Sequence, residues 1–493
     1  MATVPVYAAA ESPVHRLSWR ERIAWMICAM PELVKSFAWD AFVLFYYAQV
    51  VGLRGWLISV AITVIIIFDT LVDPWIGALS DRLRGARFGR RHSLMFAAIV
   101  PFMIGIWAVF SPPAHMPQIG ILAWLLAWGL LARCGISLWT VPAYALGGEL
   151  TTDVTERRLV AVLRNLGNQV VILIVPAIAF GVFFVHNAAF SKPQLNPAPY
   201  PDFGLFVALL GGSLMLLGGL GTYARAKRIE AVDAQAAGPA GRAEDTSPLA
   251  ILAAFARAVR ITPNVGRLMC VAFLVLFVNS VINQLSLHLS TYFWQLDESW
   301  TPRQLMAATV GSVIAMFLAP LFLRMFPTRI AMILGLTFFF SAQALAVIIP
   351  LGGLAPPPGS PGMGWLVSTL RFVGGMAYGL YVVPFNVVTY DIGDEHEANT
   401  GRPAQGMVAS FMFIGLQLGS GAVALLAGSF LSMIAFPTGL PVAQMPPEKV
   451  TALAWFVLAL IAVAGGAMAW LVGTFRIDQD KIARVRAAHA PGS

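Results

Sequence analysis

Long apolar stretches recur along this chain from one end to the other. A helix needs about 20 consecutive apolar residues to cross the hydrocarbon core of a bilayer. Twelve stretches qualify, at 23–53, 56–79, 94–112, 118–147, 165–186, 204–225, 264–294, 303–325, 329–352, 363–390, 405–436 and 450–474. Only 11% of the residues are charged, against about 25% in soluble domains. The sequence therefore predicts an all-α membrane protein with twelve transmembrane helices.

One polar segment interrupts the series after the sixth stretch. It mixes Lys, Arg, Glu and Asp with Ala and Gly, a composition that does not span a membrane. The chain is thus predicted to contain an N-terminal tail (1–22), a six-helix bundle (23–226), a linker (227–262), a second six-helix bundle (263–475) and a C-terminal tail (476–493).

The positions of the basic residues predict the orientation in the membrane. Positive charges concentrate in alternate loops, most densely after the second stretch, at Arg82, Arg84, Arg87, Arg90 and Arg91. Short loops rich in Lys and Arg stay in the cytoplasm. The N-terminus lacks the apolar core and cleavage site of a signal peptide. We expect a multi-pass protein of the plasma membrane, the bacterial inner membrane, with both termini cytoplasmic.

Composition and motifs also limit the partners. The net charge of +8 does not indicate nucleic acid binding, because the basic residues lie in short runs between apolar spans with hardly any aromatic residues among them. Cys28, Cys134 and Cys270 are too widely spaced to predict a disulfide framework or a zinc site. Since no HExxH, nucleophile–base or GxGxxG motif is found, we expect no enzyme and no cofactor. The expected partners of the monomer are the bilayer and a small-molecule substrate.

The two halves repeat a pattern of residues at an offset of 242. A Val-Pro pair is followed by two acidic residues in each half: Val141-Pro142, Glu149 and Asp153, then Val383-Pro384, Asp391 and Glu395. Internal repeats of this kind are typical of transporters in which two bundles open a midplane site to each side in turn.

The second apolar stretch contains two carboxylates, Asp69 and Asp73, which lie four residues apart on one helix face. If Asp81 marks the membrane edge, they lie about 18 Å and about 12 Å inside it. An acid at this depth costs about 3 kcal/mol or more and normally marks an ion or substrate path. We predict a cation site here, with protonation as one alternative. The competing interpretation is a structural pair neutralised by Lys or Arg of a neighbouring helix.

Three separated motifs resemble the glycoside–pentoside–hexuronide:cation symporters of the major facilitator superfamily. They are Asp69-x3-Asp73-Pro74-x2-Gly77-x2-Ser80-Asp81-Arg82, then Pro142-x3-Leu146-x2-Glu149-Leu150-Thr151-x-Asp153-x2-Glu156-Arg157, then Tyr390-Asp391-Ile392-Gly393-Asp394-Glu395 with Thr400-Gly401-Arg402. The resemblance implies two pseudo-symmetric six-helix bundles, the major facilitator fold. It also implies symport of a sugar or glycoside, coupled to Na⁺ or H⁺, by alternating access.

The resemblance also implies a cation site. In the family, the ion site uses two acids on helix II, a hydroxyl and an acid on helix IV, and a lysine on helix XI. Asp69, Asp73 and Ser137 match the first three positions. Thr140 stands in place of the helix IV acid, and Gln417 in place of the lysine. One acid and one base are thus lost together, so the net charge of the site is kept.

Seven side chains are expected to bind the substrate: Asp40, Arg133, Tyr144, Arg164, Asn279, Asn283 and Gln417. Leu33 falls where the family has a sugar-binding aspartate on helix I, and Asp40 lies about 10 Å further along nearly the same face. Tyr144 takes the place of the family's sugar-stacking tryptophan, and Arg164 matches its helix V arginine. Asn279 and Asn283 share a helix face, where they line the cavity or bond to another helix.

Three basic residues within the spans have open roles. Arg133 binds an anionic group of the substrate or pairs with a carboxylate such as Asp40. Lys35 pairs with Glu32 three residues before it, or approaches Asp69 or Asp73 in place of the lost lysine. Arg371 lies near the outer end of its span, where a side chain that reaches the membrane surface needs no function.

Charged motif residues in the predicted cytoplasmic loops are expected to form salt bridges that hold the outward-open state and break during turnover. They include Asp81, Arg82, Arg90, Glu149, Asp153, Arg157, Asp391 and Arg402. The sequence leaves the solute, the ion and the direction of transport open. Transport of a lysophospholipid or another amphiphilic or anionic solute, or uncoupled uniport, are the alternatives.

Overall fold

The computed structural model describes residues 17–83, 87–150, 154–186, 190, 192–236, 248–297, 299–400 and 405–474. These residues are largely helical and contain no strand. Their α-helices are α1 (Trp19–Ala38), α2 (Gly55–Arg82), α3 (His92–Val109), α4 (Gln118–Glu149), α5 (Val154–Ile178), α6 (Pro199–Ala236), α7 (Pro248–Ile261), α8 (Pro263–Gln284), α9 (Ser286–His288), α10 (Trp300–Met325), α11 (Thr328–Leu351), α12 (Pro361–Thr400), α13 (Gln405–Met433) and α14 (Pro447–Gly473).

Eleven of the described helices are long and apolar enough to cross a membrane. The first crossing is more polar and is built from α1 with two π-helical turns, Trp39–Val43 and Tyr46–Val50. A capping box between Ser18 and Glu21 starts α1, because each side chain accepts a hydrogen bond from the other residue's backbone N–H. The predicted all-α fold with twelve spans is confirmed.

The predicted linker, 227–262, is partly helical. Helix α6 continues to Ala236, and α7 occupies Pro248–Ile261. The segment boundaries predicted from the sequence stay predictions, and most of both tails lies outside the described residues.

The same helix contacts recur in the two halves of the molecule. In the first half, α4 packs against α2 and α3, while α1 packs against α5 and α6. In the second half, α12 packs against α10 and α11, while α8 packs against α13 and α14. Helices α4 and α12 carry the repeated prolines, Pro142 and Pro384, within their length. Two pseudo-symmetric six-helix bundles therefore form the fold, as the repeat predicts.

The two halves meet at one face of the molecule. Because the membrane helices alternate in direction, α1 begins and α14 ends at the same face, here called the terminal face. The other face is called the opposite face. Near the opposite face, Ser59 of α2 donates a hydrogen bond to the carbonyl oxygen of Ala424 in α13 (2.7 Å). Tyr292 likewise donates to Gln49 Oε1 (3.0 Å) and joins the first span to the seventh.

At the terminal face, two described polar contacts each lie within one half of the molecule. The ion pair between Arg22 and Glu156 lies within the first half (2.8 Å). The hydrogen bond from Asn264 to Glu395 lies within the second half (2.8 Å). The helix pairs that join the halves are mainly α2 with α13 and α5 with α10. The described contacts between the halves therefore include a closure at the opposite face.

The closure depends on glycines that let α2 and α13 approach closely. A Cβ atom at Gly428 would overlap the carbonyl oxygen of Gly55 and the hydroxyl oxygen of Ser59. Small residues at such a crossing allow backbone contact between membrane helices. A larger side chain at Gly428 is incompatible with this closed face.

We expect Gly428→Val to shift the population toward a form that is open at the opposite face. Gln49, which is buried at this closure, is the reporter position. In purified protein with the native cysteines replaced, Gln49→Cys should react several-fold faster with a polar maleimide when Gly428→Val is present. Gly466→Val is the control, because a Cβ there meets nothing within 4 Å. Equal labelling rates in both variants would contradict the assigned closure.

Candidate functional site

A buried ion pair links α2 to α4 in the middle of the first half. Asp69 is only 4% exposed. Its Oδ2 accepts a hydrogen bond from Arg133 Nη1 at 2.9 Å, and its Oδ1 accepts one from Ser137 Oγ at 2.8 Å. Arg133 and Ser137 are four residues apart on α4, so one face of that helix supplies both donors. The carboxylate of Asp69 is thus matched by a cation and a hydroxyl of the protein itself.

This pairing decides between the two roles left open for Arg133. The carboxylate that it meets is Asp69, and not Asp40. The Arg133 guanidinium also lies 5.7 Å from the ring centre of Trp39, so an aromatic face covers it. A resident positive charge therefore occupies the place where the resemblance puts a metal ion.

Asp73 has a different environment from Asp69. It lies one helical turn closer to the terminal face and is half-buried. Its Oδ1 is shielded from solvent and has no hydrogen-bond partner. Asp69, Glu32 and Arg133 lie close enough to act on Asp73 electrostatically, and the Ser137 hydroxyl is also within reach of its carboxylate. Asp73 is thus the carboxylate of the predicted pair that retains free binding capacity.

Two further predicted positions lie beside this pair. The hydroxyl of Thr140 donates to the carbonyl oxygen of Ile136 on its own helix (3.0 Å), which leaves its lone pairs available to a ligand. Gln417 lies on α13. This helix contacts α2 near Gly421, where an added Cβ atom would lie 3.1 Å from the side chain of Ile66. Because the two helices run antiparallel, Gln417 is at the level of Asp69 and Asp73.

Lys35 forms the predicted pair within α1. Its Nζ lies 2.9 Å from Glu32 Oε1, and Ser36 donates to the same oxygen at 3.2 Å. Lys35 is fully buried, whereas the side chain of Glu32 is 29% exposed. The alternative, in which Lys35 takes over from the lost helix XI lysine at Asp69, is therefore wrong for this conformation.

The charges in the middle of the first half do not balance when all of them are ionised. The two ion pairs account for two acids and two bases. The other charged side chains in the middle of α1, α2, α4 and α5 are Asp40, Asp73 and Arg164. One negative charge is therefore left over among these side chains.

A narrow cleft with a free volume of about 10 Å³, room for about one water molecule, lies beside Glu32, between α1, α4 and α5. Its lining is Trp25, Cys28, Ala29, Glu32, Thr140, Ala143, Tyr144 and Arg164. The guanidinium carbon of Arg164 lies 3.2 Å from the ring centre of Tyr144, and Tyr144 is 52% exposed. The cleft brings together three residues singled out in the sequence, Thr140, Tyr144 and Arg164. One face of the Tyr144 ring is covered by Arg164, so a ligand stacks there only if Arg164 moves.

Glu32 was not predicted to line this cleft, because its spacing from Lys35 suggested only an intrahelical ion pair. The available signal was an acid at membrane depth, which is rarely without a function. In the structure, one carboxylate both pairs with Lys35 and faces the cleft.

The remaining predicted substrate residues lie on other elements. Asp40 is half-buried on the π-helical turn Trp39–Val43. Asn283 Nδ2 donates to Asn279 Oδ1 at 2.6 Å, and both amides are half-buried on α8. The two amides therefore bond to each other along one helix face. Asp40 is close enough to Lys35, Arg133 and Glu32 to interact with them electrostatically, whereas Asn279 and Asn283 are not among the residues that line the cleft.

Few of the predicted salt-bridge residues are described at the level of side chains. The backbone N–H of Arg90 donates to Glu230 Oε1 (2.6 Å) within the first half, and Asp391 is buried near the end of α12. The other residues of this prediction lie outside the described residues, either entirely or in their side chains: Asp81, Arg82, Glu149, Asp153, Arg157 and Arg402. Their role as salt bridges of the outward-open state stays a prediction.

These features define a class: a multi-pass membrane protein with a major facilitator fold and buried ion pairs at its centre. A family model described as MFS/sugar transport protein matches residues 26–479. The chain belongs to this family.

Two curated relatives resemble parts of the chain. It is 27% identical over 183 residues to the uncharacterized symporter sll1374 of Synechocystis sp., a match that covers 36% of this chain and 32% of the relative. It is 33% identical over 149 residues to the uncharacterized symporter YnaJ of Bacillus subtilis, covering 28% of this chain and 31% of the relative. The matched segments thus span about a third of each relative.

Solved structures share the fold over nearly the whole chain. A mutant of the nucleoside transporter NupG superposes with a TM-score of 0.61 at 12% identity, covering 92% of this chain and 99% of that one. The inward-open xylose transporter XylE from E. coli gives 0.58 at 13% identity, covering 95% and 98%. At this identity, the similarity shows the fold alone.

Proposed function

We propose that this protein is a secondary active transporter that moves a small solute across the membrane by alternating access, coupled to H⁺ through Asp73. The family and the fold support transport in general. The closure at the opposite face is one of the two closures that such a carrier alternates between. The names of the two symporter relatives agree with coupling to an ion.

The observation that carries the coupling proposal is the contrast between Asp69 and Asp73. Hard cations bind to several oxygen ligands at once. Both oxygens of Asp69 are already bonded to Arg133 and Ser137, so a metal ion at Asp69 would have to displace a guanidinium. Protonation of Asp73 needs no displacement and removes the one unbalanced charge. Among the two ions considered from the sequence, H⁺ is therefore favoured over Na⁺.

In this mechanism, the proton and the solute favour each other's binding. A proton on Asp73 leaves the middle of the first half neutral, which lowers the cost of enclosing it between the two bundles. If protonation increases solute affinity, linkage requires that solute binding increases proton affinity by the same factor. Carriers that are fully loaded or empty reorient, and those that carry only one of the two do not.

The cleft favours a polyhydroxylated ring as the solute. Glu32 supplies carboxylate acceptors, Thr140 a hydroxyl, Arg164 donors and Tyr144 an aromatic surface, and sugars bind to such mixtures of polar groups and rings. We therefore propose a glycoside or sugar. An anionic or amphiphilic solute is the second candidate, because no carboxylate lies within 4 Å of Arg164 in the part of the chain that the structure describes.

The cellular setting follows from the arginine pattern. We propose a monomer in the bacterial inner membrane, with the terminal face toward the cytoplasm.

The test is uptake by proteoliposomes that contain the purified protein. We expect a subset of a panel of labelled glycosides to accumulate when an inward H⁺ gradient is imposed, and to equilibrate without accumulation under a Na⁺ gradient of equal size. A protonophore should abolish accumulation, and protein-free liposomes are the control. Accumulation driven by Na⁺, or the same uptake under both gradients, would contradict coupling to H⁺ at Asp73.

A further inference from the structure

A second buried cation lies in the other half of the molecule, and the proposed coupling mechanism does not use it. Arg371 is on α12 and is 5% exposed. The expectation that its side chain reaches the membrane surface is wrong, because the guanidinium points into the bundle. Its Nη2 donates to Ser286 Oγ at 3.4 Å, and its Cζ lies 5.9 Å from the ring centre of Trp294.

This guanidinium lacks the counter-charge that Arg133 has. Arg133 lies 2.9 Å from a carboxylate oxygen of Asp69. Within the described ranges, no carboxylate lies within 4 Å of Arg371, and its Nε is buried without a hydrogen-bond partner. Arginine stays charged in proteins. A buried, unpaired charge is strongly unfavourable, so a counter-charge is expected from another source.

Uncharged donors surround Arg371. Ser368 lies three residues before it on the same face of α12, and its hydroxyl is buried and unpaired. Gly374 lies three residues after Arg371 and faces α11. A Cβ atom added to Gly374 would lie 2.8 Å from the side-chain amide nitrogen of Gln343. The hydroxyl of Ser286 accepts from Arg371 and keeps its own proton free to donate. Ser286 thus bonds to the guanidinium, and Ser368 and Gln343 supply an O–H and an N–H group within one turn of α12 from Arg371.

A fourth polar group lies at the same level on α10. Gln304 is fully buried, donates from Nε2 to Ser290 Oγ at 2.7 Å, and leaves its Oε1 unpaired. Contacts of Gly364 with Trp300 and of Gly375 with Ala308 fix the register between α12 and α10. This register puts Gln304 beside the turn from Ser368 to Arg371. Rotation of the Gln304 amide by 180° keeps the bond to Ser290 and presents an NH2 group in place of the unpaired oxygen.

We propose that Arg371, Ser368, Ser286 and Gln343 bind a monovalent inorganic anion, chloride in the cell, inside the second half. Guanidinium, hydroxyl and amide groups supply the donors that a halide needs, and the anion supplies the charge that the protein lacks here. Each of the four side chains is less than 9% exposed, so an anion bound among them is shielded from solvent. Chloride in this position stabilises the packing of α12 against α10 and α11.

The test is the thermal stability of the purified full-length protein in detergent, measured in potassium chloride and in potassium gluconate at equal ionic strength and pH. We expect a saturable rise in melting temperature with chloride concentration, because a ligand that binds only the folded state stabilises it. Bromide should replace chloride, and its anomalous scattering in a crystal should give a peak beside Arg371. A melting temperature that is the same in chloride and gluconate would overturn the proposal.

Variants assign the effect to this site. Arg371→Met should abolish the response to chloride. Arg303→Met should retain it, since Arg303 is an exposed arginine that stacks on Trp300 at 4.9 Å. If Arg371→Met does not fold, Ser368→Ala replaces it, because that change removes an unpaired buried hydroxyl. Loss of one hydrogen bond to the anion should weaken the apparent chloride affinity by about tenfold. An unchanged chloride response in both Arg371→Met and Ser368→Ala would also overturn the assignment.

Discussion

Asp73→Asn is expected to abolish concentrative uptake while solute exchange across the membrane continues. Asparagine has nearly the same shape as protonated aspartate and neither gains nor loses a proton. The variant therefore resembles a carrier that is permanently loaded. Net uptake into proteoliposomes under an H⁺ gradient should therefore be nearly abolished, because a carrier that mimics the protonated state does not reorient without solute.

Counterflow separates this result from simple loss of folding. Vesicles preloaded with unlabelled solute should still take up labelled solute through Asp73→Asn at a rate comparable to that of the wild type. Asp202→Asn is the matched control, since Asp202 is an exposed aspartate in the first turn of α6. It should keep full accumulation. An accumulation ratio for Asp73→Asn that equals the wild-type ratio would contradict the role proposed for Asp73.

Arg133→Met is expected to have the largest effect on stability and to change the ion response. Removal of one partner from a buried ion pair costs about 3–5 kcal/mol, because the other charge is left uncompensated. In this case Asp69 becomes unpaired next to Asp73. Two adjacent carboxylates without a resident cation form a site for a small cation. Na⁺ should therefore raise the melting temperature of Arg133→Met above its value in K⁺, while the wild type should not distinguish the two ions.

A double variant that also removes the charge of Asp69 tests the same pairing. In Arg133→Met/Asp69→Asn, no uncompensated charge remains at the pair, so most of the lost stability should return and the response to Na⁺ should disappear. Melting curves of the wild type, both single variants and the double variant form a double-mutant cycle that measures the coupling between the two residues. Additive losses, or a wild type that Na⁺ stabilises as much as Arg133→Met, would show that Arg133 does not act as an internal replacement for the metal ion.

Asp69 and Asp73 show which properties of the site the sequence predicts and which it does not. The spacing of Asp69 and Asp73 puts both on one face of α2, and their distance from the arginine-rich end puts both near mid-membrane. The structure agrees on the shared helix. The two acids nevertheless differ in environment, because α4 presents Arg133 and Ser137 to Asp69, while one oxygen of Asp73 has no partner. Helical periodicity in α2 contains no information about which residues of α4 face it.

The same limit applies to the basic residues. The pair of Lys35 with Glu32 is a contact within one turn, and the sequence included it among its alternatives. The partner of Arg133 is 64 residues away, and the burial of Arg371 results from the packing of α12 against its neighbours. These outcomes depend on the rotation of each helix about its own axis, which only packing decides.

The sequence by itself determined the number of spans, the division into two repeated halves and the depth of each intramembrane charge. These properties follow from apolar length, from the offset of 242 residues between the repeats and from the rise per residue of a helix. The tertiary structure alone decided which charges neutralise one another and which are left over. The physical reason is that pairing inside a membrane requires direct contact between side chains of different helices, and the helix crossings that create such contacts are set by the packing of the whole bundle.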